Sequence, residues 1–164
     1  MNQAMRLQEE VNHTNESQDV KPVLLFVDDD ARAISLIKLE FGEANYVCHF
    51  AESAFKALDI LQKMTVYVVI SDINMPILSG TELFEQVKKK QPEVIRIAIP
   101  GSINIPEFVN AINKASVHTY LVKPHQPKDL KLIIYKELLE RKKNRRKIDR
   151  IKASQKNAAN RARE

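Results

Sequence analysis

Short apolar runs alternate with amphipathic segments along most of this chain, and this alternation constrains the fold more than any other feature. The runs are typical of buried strands and fall at 23–27, 46–50, 66–71, 94–99 and 117–122. Apolar residues recur at helical spacing over 31–41, 54–62, 81–90, 105–114 and from Pro127 onward. Parallel strands need crossover helices, and right-handed crossovers place helices on both faces of a sheet. The sequence therefore predicts a doubly wound α/β domain with a five-stranded parallel sheet.

Charge divides the 164 residues into unequal parts. Residues 1–21 are polar without sustained periodicity, which predicts a flexible leader, and residues 22–140 carry the alternation of strands and helices. Residues 141–164 hold eleven Lys or Arg against two acids, a net charge of +9, whereas residues 1–140 have a net charge of −4. We therefore expect an acidic domain with a basic helical extension or linker, which is either solvated or in contact with an anionic surface.

Composition excludes several classes of protein. The lone Cys48 excludes an internal disulfide and a multi-cysteine metal site, and three glycines are too few for the usual nucleotide-binding loops. No apolar run approaches the roughly 20 residues of a membrane span, and residues 1–21 contain no apolar signal segment. We therefore expect a cytoplasmic protein with no membrane partner. The histidines lack metal-ligand spacing, and His49 and His118 lie in predicted strands, so structural roles are expected for both.

Charged side chains follow three of the predicted strands. Three carboxylates end the first strand, one ends the third, and a lysine ends the fifth: Asp28, Asp29, Asp30, Asp72 and Lys123. In doubly wound sheets the ligand site lies beyond the carboxyl ends of the strands. Clustered carboxylates repel one another unless a cation intervenes, and oxygen ligands near a phosphate favour Mg²⁺. Asp30 directly precedes a helical segment and is expected to be its N-cap. The sequence therefore predicts a magnesium site at Asp28, Asp29 and Asp72.

Three segments resemble the receiver domain of bacterial two-component response regulators: LLFVDDD at 24–30, ISDINMPILSG at 70–80 and YLVKP at 120–124. The resemblance covers residues 22 to about 140 and implies a flavodoxin-like fold with strand order 2-1-3-4-5. The segments RIAIPG and AINKASVHTYLVKP are similar to receivers that lie upstream of HD-GYP phosphodiesterase domains. None of that catalytic domain is present, so the chain is either a stand-alone regulator or a fragment without its output domain.

The resemblance implies a role for each matching residue. Asp72 would accept a phosphoryl group, and Lys123 would pair with the phosphoryl oxygens. Asp29 would bind Mg²⁺ directly, Asp28 largely through water, and the backbone carbonyl of Asn74 would complete the protein ligands. Tyr120 would be the rotating aromatic of the switch, and the Lys123–Pro124 peptide bond is expected to be cis. The positions that match turn residues of the family are Met75, Pro76, Gly80 and Pro124.

One position departs from the receiver pattern. Pro100 stands at the end of the fourth strand, where receivers carry a Ser or Thr whose hydroxyl bonds the phosphoryl group. Proline has no hydroxyl and no N–H, and its ring fixes φ near −65°. Ser102, two positions on, is an alternative source of a hydroxyl. We therefore expect the phosphoryl chemistry to persist while conventional switching is lost or rewired.

The resemblance implies phosphorelay signalling rather than an enzyme. The chain would take a phosphoryl group from a sensor histidine kinase or phosphotransfer protein and pass the signal to a downstream protein partner or output domain. The alternative is a pseudo-receiver that binds a partner without phosphorylation. A phosphatase of the haloacid dehalogenase type is disfavoured, because Arg32 stands where its Asp-x-Asp-x-Thr/Val motif requires Thr or Val.

The basic extension raises two further expectations. No helix-turn-helix pattern follows the receiver-like region, so specific nucleic-acid binding is not expected, and any contact would be independent of sequence. Ile148 and Ile151 are too few to hold a solitary helix together, which predicts weak homodimerisation or docking to an acidic partner.

Overall fold

The computed structural model describes residues 20–42, 45–102 and 104–161, so residues 1–19 of the predicted leader lie outside the described residues. All strand pairs are parallel and the order is β2-β1-β3-β4-β5, which confirms the predicted doubly wound, flavodoxin-like sheet. The elements are β1 (Val23–Val27), α1 (Ala31–Phe41), β2 (Val47–Ala51), α2 (Ala54–Lys63), β3 (Val68–Asp72), α3 (Gly80–Lys90), β4 (Ile95–Ile99), α4 (Ile105–Ala115), β5 (Thr119–Tyr120) and α5 (Pro127–Arg161).

Helices cover both faces of the sheet. Leu25 and Val27 of β1 belong to the core formed with α2, α3 and α4, whereas Leu24 and Phe26 belong to the core formed with α1 and α5. All four side chains are buried. A strand buried on both faces is apolar at consecutive positions, and this is why the strands appear in the sequence as continuous runs.

Strand β5 is shorter than the predicted 117–122. It is an edge strand that pairs only with β4, through Ile97 with Thr119 and Ala98 with Tyr120. Backbone hydrogen bonds nevertheless continue beyond it, since the Lys123 N–H donates to the Pro100 carbonyl oxygen at 2.9 Å. This bond holds the residues after β5 beside the end of β4.

Arg96 and His118 lie towards the opposite end of the sheet. The buried guanidinium of Arg96 donates to the carbonyl oxygens of Val94 at 2.7 Å and Ser116 at 3.1 Å. The backbone N–H of Arg96 donates to Nδ1 of His118 at 3.1 Å. Burial, followed by the charges of Arg96 and Arg141, lowers the pKa of His118, which favours the neutral ring that this hydrogen bond requires. These contacts agree with the structural role expected for His118.

Helix α5 packs on the sheet only along its first part. Leu130 and Ile134 are fully buried, and the guanidinium of Arg141 donates to the Tyr67 carbonyl oxygen at 3.2 Å while lying 4.9 Å from the centre of the Tyr67 ring. Every residue from 142 to 158 is exposed. The helix therefore projects from the domain after Arg141.

No described helix is both long enough and apolar enough to cross a bilayer.

Candidate functional site

The carboxyl ends of β1 and β3 bring three aspartates together. The two strands are neighbours in the sheet, so the residues that follow them lie at the same edge. Carboxylate oxygens of Asp28, Asp29 and Asp72 all lie within 4.8 Å of one another. Asp28 is only 4% exposed, whereas Asp29 is exposed to solvent. The structure thus assembles the cluster of carboxylates that the sequence predicts.

Lys123 bridges two of these carboxylates. Its Nζ donates to Oδ2 of Asp28 at 2.7 Å and to Oδ2 of Asp72 at 2.8 Å. The Lys123–Pro124 peptide bond is cis, as predicted. Burial alone would lower the pKa of Lys123, but the hydrogen bonds to Asp28 and Asp72 outweigh it and raise this pKa above its ordinary value. Lys123 therefore stays protonated beside the carboxylates.

The other oxygens of the Asp28 and Asp72 carboxylates accept backbone hydrogen bonds. Oδ1 of Asp28 accepts from the Asp30 N–H at 2.9 Å, and Oδ1 of Asp72 accepts from the Asn74 N–H at 3.0 Å. The Asp30 side chain itself caps α1 by accepting from the Arg32 N–H at 2.9 Å, which confirms its predicted N-cap role. The backbone hydrogen bonds to Asp28 and Asp72 fix the orientation of both carboxylates.

The charges of the cluster fit a divalent cation. Three carboxylates against the one charge of Lys123 leave two negative charges in a small volume. Carboxylate oxygens are the ligands that Mg²⁺ prefers, and a site with an exposed member such as Asp29 leaves room for the waters that Mg²⁺ retains. The donor set therefore fits Mg²⁺ better than a thiolate-seeking or imidazole-seeking metal.

The loop from β3 to α3 is folded tightly against Asp72. The Ile73 carbonyl oxygen accepts from the Gly80 N–H at 2.9 Å, and Met75 of the loop is buried in the core formed with α2, α3 and α4. Ile77 has φ of 70° and is 92% exposed, and the N–H of the next residue bonds back to the Pro76 carbonyl at 2.8 Å. This three-residue turn is unusual for a β-branched residue, and no sequence rule predicted it.

Ser79 caps α3 at the end of this loop, a role that was not predicted. Its side chain accepts from the Glu82 N–H, and the Glu82 carboxylate in turn accepts from the Ser79 N–H at 2.9 Å. The Ser-x-x-Glu spacing at 79–82 is a capping-box signal that was present in the sequence. The cap fixes the start of α3 immediately beside Asp72.

Comparison with known proteins agrees with this geometry. Residues 24–135 match the model of the response regulator receiver domain. The chain belongs to this family. It is therefore a receiver domain of the kind that serves two-component signalling, and such domains generally bind Mg²⁺ at an acidic pocket. Receiver domains are signalling modules and are generally not catalytic.

Two regulators and one solved structure illustrate the similarity. The chain is 30% identical over 112 residues to the hydrogenase transcriptional regulatory protein HoxA of Cupriavidus necator, covering 68% of this chain and 23% of HoxA. It is 35% identical over 101 residues to the transcriptional regulatory protein GlrR of Escherichia coli, covering 62% of this chain and 22% of GlrR. The chain thus spans less than a quarter of either regulator.

The solved structure is the signal receiver domain of an HD domain-containing protein from Pseudomonas fluorescens Pf-5. It superposes with a TM-score of 0.72 at 27% identity and covers 75% of this chain and 98% of that domain. This similarity agrees with the resemblance to receivers that precede HD-type domains.

The residues predicted to form the switch, Pro100, Ser102 and Tyr120, lie at and after the ends of β4 and β5. Pro100 follows β4 directly and is buried, and its carbonyl oxygen holds the Lys123 N–H. Ser102 is exposed. The ring of Tyr120 is 48% exposed and packs edge-on against Phe108 of α4, with the ring centres 4.9 Å apart. The packing of Tyr120 on Phe108 was not predicted, because it joins residues of two different elements.

Proposed function

We propose that this receiver domain accepts a phosphoryl group on Asp72 from a sensor histidine kinase or phosphotransfer protein. Mg²⁺ would be held by Asp28, Asp29, Asp72 and the backbone carbonyl of Asn74. The observation that carries the proposal is the bridging of Asp28 and Asp72 by Lys123, within a cluster whose carboxylates lie 4.8 Å or less apart. The signal would then pass through protein contacts to a downstream partner or an output domain.

The chemistry requires a nucleophile and neutralising charge. A carboxylate oxygen of Asp72 attacks the phosphorus, the bond from phosphorus to the donor nitrogen breaks, and its electron pair remains on the donor imidazole. Lys123 can form an ion pair with the phosphoryl oxygens, because its Nζ already lies 2.8 Å from Oδ2 of Asp72. Mg²⁺, when bound, supplies further positive charge against the phosphoryl oxygens. The phosphorylated side chain carries roughly one more negative charge than the free carboxylate.

The direct test is intact mass spectrometry of the full chain after incubation with acetyl phosphate. With millimolar Mg²⁺ we expect the mass to rise by one phosphoryl group, and with a chelator we expect little or no rise. An unchanged mass in Mg²⁺, for a protein whose fold is verified by circular dichroism, would contradict the proposal.

Mg²⁺ is expected to raise the melting temperature of the chain, because the folded state binds the ion and the unfolded chain hardly does. At a concentration ten times the dissociation constant the gain is about 1.4 kcal/mol. Asp29→Ala removes an exposed ligand and should abolish the gain, whereas Glu93→Ala, an exposed carboxylate in the turn before β4, should keep it. Equal Mg²⁺ responses in both variants, measured by calorimetry, would argue against the site.

The pseudo-receiver is the second candidate, and the observation that favours it is Pro100. This buried residue offers no hydroxyl to a phosphoryl group on Asp72, and the only side-chain hydroxyl close to it in sequence, on Ser102, is exposed. In the pseudo-receiver a partner would bind whether or not Asp72 is phosphorylated. Because the carboxylates and Lys123 remain in place, we propose that Asp72 can still be phosphorylated, and that the conformational response of Tyr120 to phosphorylation is weakened.

Replacing Pro100 by Thr is expected to enlarge the structural response to phosphorylation, because the variant gains a hydroxyl directly after Ile99, the residue that pairs with Asp72 across the sheet. The measure is the change in the NMR signals of the Tyr120 ring between free and phosphorylated states. Ser102→Ala provides the comparison for the alternative hydroxyl. A wild-type response as large as that of Pro100→Thr, and lost in Ser102→Ala, would show that Ser102 performs this role.

A further inference from the structure

Residues 142–158 of α5, called here the basic segment, form a strongly charged surface with little internal compensation. The segment holds eight Lys or Arg and one acidic residue, Asp149, a net charge of +7. All of its residues are exposed. Among the described residues, only Lys143 of these eight cations has a carboxylate partner, Glu140 at 3.1 Å. The remaining seven cations are exposed and form no salt bridge within the described residues, although Asp149 stands one helical turn from Arg145 and Lys152.

A helix that is merely solvated usually alternates charges of opposite sign along its surface. The basic segment instead places charges of the same sign next to one another along its surface. Four pairs of like charge stand at i and i+4, where each pair destabilises a helix by roughly 0.2–0.5 kcal/mol. These pairs are Lys142 with Arg146, Lys143 with Lys147, Arg146 with Arg150, and Lys152 with Lys156. An external polyanion would relieve this repulsion.

The cations surround most of the helix. At about 100° per residue they span an arc of roughly 220°, from Lys152 round to Lys147, and Ile148 and Ile151 occupy the remaining arc. A flat anionic surface contacts only one side of a helix. A groove lined by phosphates on both edges contacts the helix on three sides. The B-DNA major groove is about 12 Å wide and admits a helix of about 10–12 Å diameter, whereas the major groove of A-form RNA is too narrow.

A membrane surface fits the basic segment less well. Helices that lie in a bilayer interface insert a broad apolar face that includes aromatic side chains. Here the apolar face consists of Ile148 and Ile151 with no aromatic residue. Moreover, these two side chains lie opposite the centre of the basic arc, so insertion would turn many of the cations away from the lipid.

We propose that the basic segment binds double-stranded DNA through its phosphates, without sequence preference. The segment is about 25 Å long and extends beyond the contacts that anchor α5 at Arg141, which separates the acidic domain from the duplex. The proposal does not depend on phosphorylation of Asp72. It agrees with the absence of a helix-turn-helix pattern, because phosphate contacts carry no sequence information.

The test is fluorescence anisotropy of the full chain with two labelled 20-base-pair duplexes of unrelated sequence. We expect similar affinities for both duplexes. With five phosphate contacts the affinity should fall roughly 500-fold between 50 and 200 mM salt. A variant with Arg145→Gln, Arg146→Gln and Arg150→Gln should reduce the slope of log affinity against log salt by about 2.7. Glutamine is a good helix former, so circular dichroism should show an intact α5.

The matched control is the double variant Ile148→Ala and Ile151→Ala, which alters the opposite side of the same helix. It should bind DNA as wild type does. The absence of DNA binding at 50 mM salt would overturn the proposal. Equal losses of DNA affinity in the arginine and isoleucine variants would also overturn it, and would favour self-association of the helix instead. Tighter binding to vesicles of phosphatidylglycerol or to polyglutamate than to DNA would overturn it in favour of a lipid or an acidic protein. A tenfold preference for one duplex would refute the lack of sequence preference.

Discussion

Asp72→Asn is expected to take up no phosphoryl group from acetyl phosphate in the presence of Mg²⁺, whereas the wild-type chain gains one. Asparagine has nearly the same shape as aspartate, and its amide oxygen can still accept from the Asn74 N–H. It lacks the negatively charged oxygen that attacks phosphorus. Lys123 keeps its bond to Asp28 in the variant, so the pocket should remain folded.

Asp59→Asn is the matched control for this experiment. Asp59 is an exposed carboxylate on α2 that pairs with Lys63, so its replacement removes the same charge away from the pocket. This variant should gain one phosphoryl group as wild type does. A mass increase that persists in Asp72→Asn would place the phosphoryl group on another residue and refute the assignment of Asp72. Circular dichroism of both variants verifies that any loss is chemical.

The fold was predictable because strands that are buried on both faces of the sheet appear in the sequence as runs of consecutive apolar residues. The β1 run is apolar at consecutive positions since Leu24 and Leu25 face different cores. The ends of β5 were not predictable in the same way. Its backbone follows β4 from His118 to Lys123, yet only Thr119 and Tyr120 have full strand pairing. Apolar residues continue past this edge strand because Val117 and Leu121 pack against the two cores without strand pairing of their own.

The sequence was sufficient to predict which residues of the candidate site lie together, but not the hydrogen bonds between them. Asp28 and Asp72 both follow strands, so the strand order alone brings them to one edge. The double hydrogen bond of Lys123 was not derivable from the residues, since it depends on where the backbone after β5 lies relative to Pro100. The positive φ of Ile77 also escaped prediction, because the rules favour glycine or asparagine there.

Gly80→Ala is expected to destabilise the folded chain by about 2–3 kcal/mol. A Cβ at this position would lie 1.9 Å from the carbonyl oxygen of Asp72 and 3.0 Å from Cα of Ile73. Both are backbone atoms that no rotamer change can move. The start of α3 must therefore shift away from β3, which strains the hydrogen bond from the Gly80 N–H to the Ile73 carbonyl. Since the clash is with the backbone of Asp72 itself, phosphoryl uptake should slow as well.

Gly101→Ala isolates this steric effect from the general effect of replacing a glycine. A Cβ at Gly101 meets no atom within 4 Å, and its φ is not positive. The variant should therefore be neutral or more stable by about 0.4–1 kcal/mol, because alanine restricts the unfolded chain. Urea unfolding of both variants gives the comparison. Equal midpoints for Gly80→Ala and Gly101→Ala would mean that α3 does not press on Asp72, and the pocket would then owe its shape to the Ser79 cap and the Lys123 bridge alone.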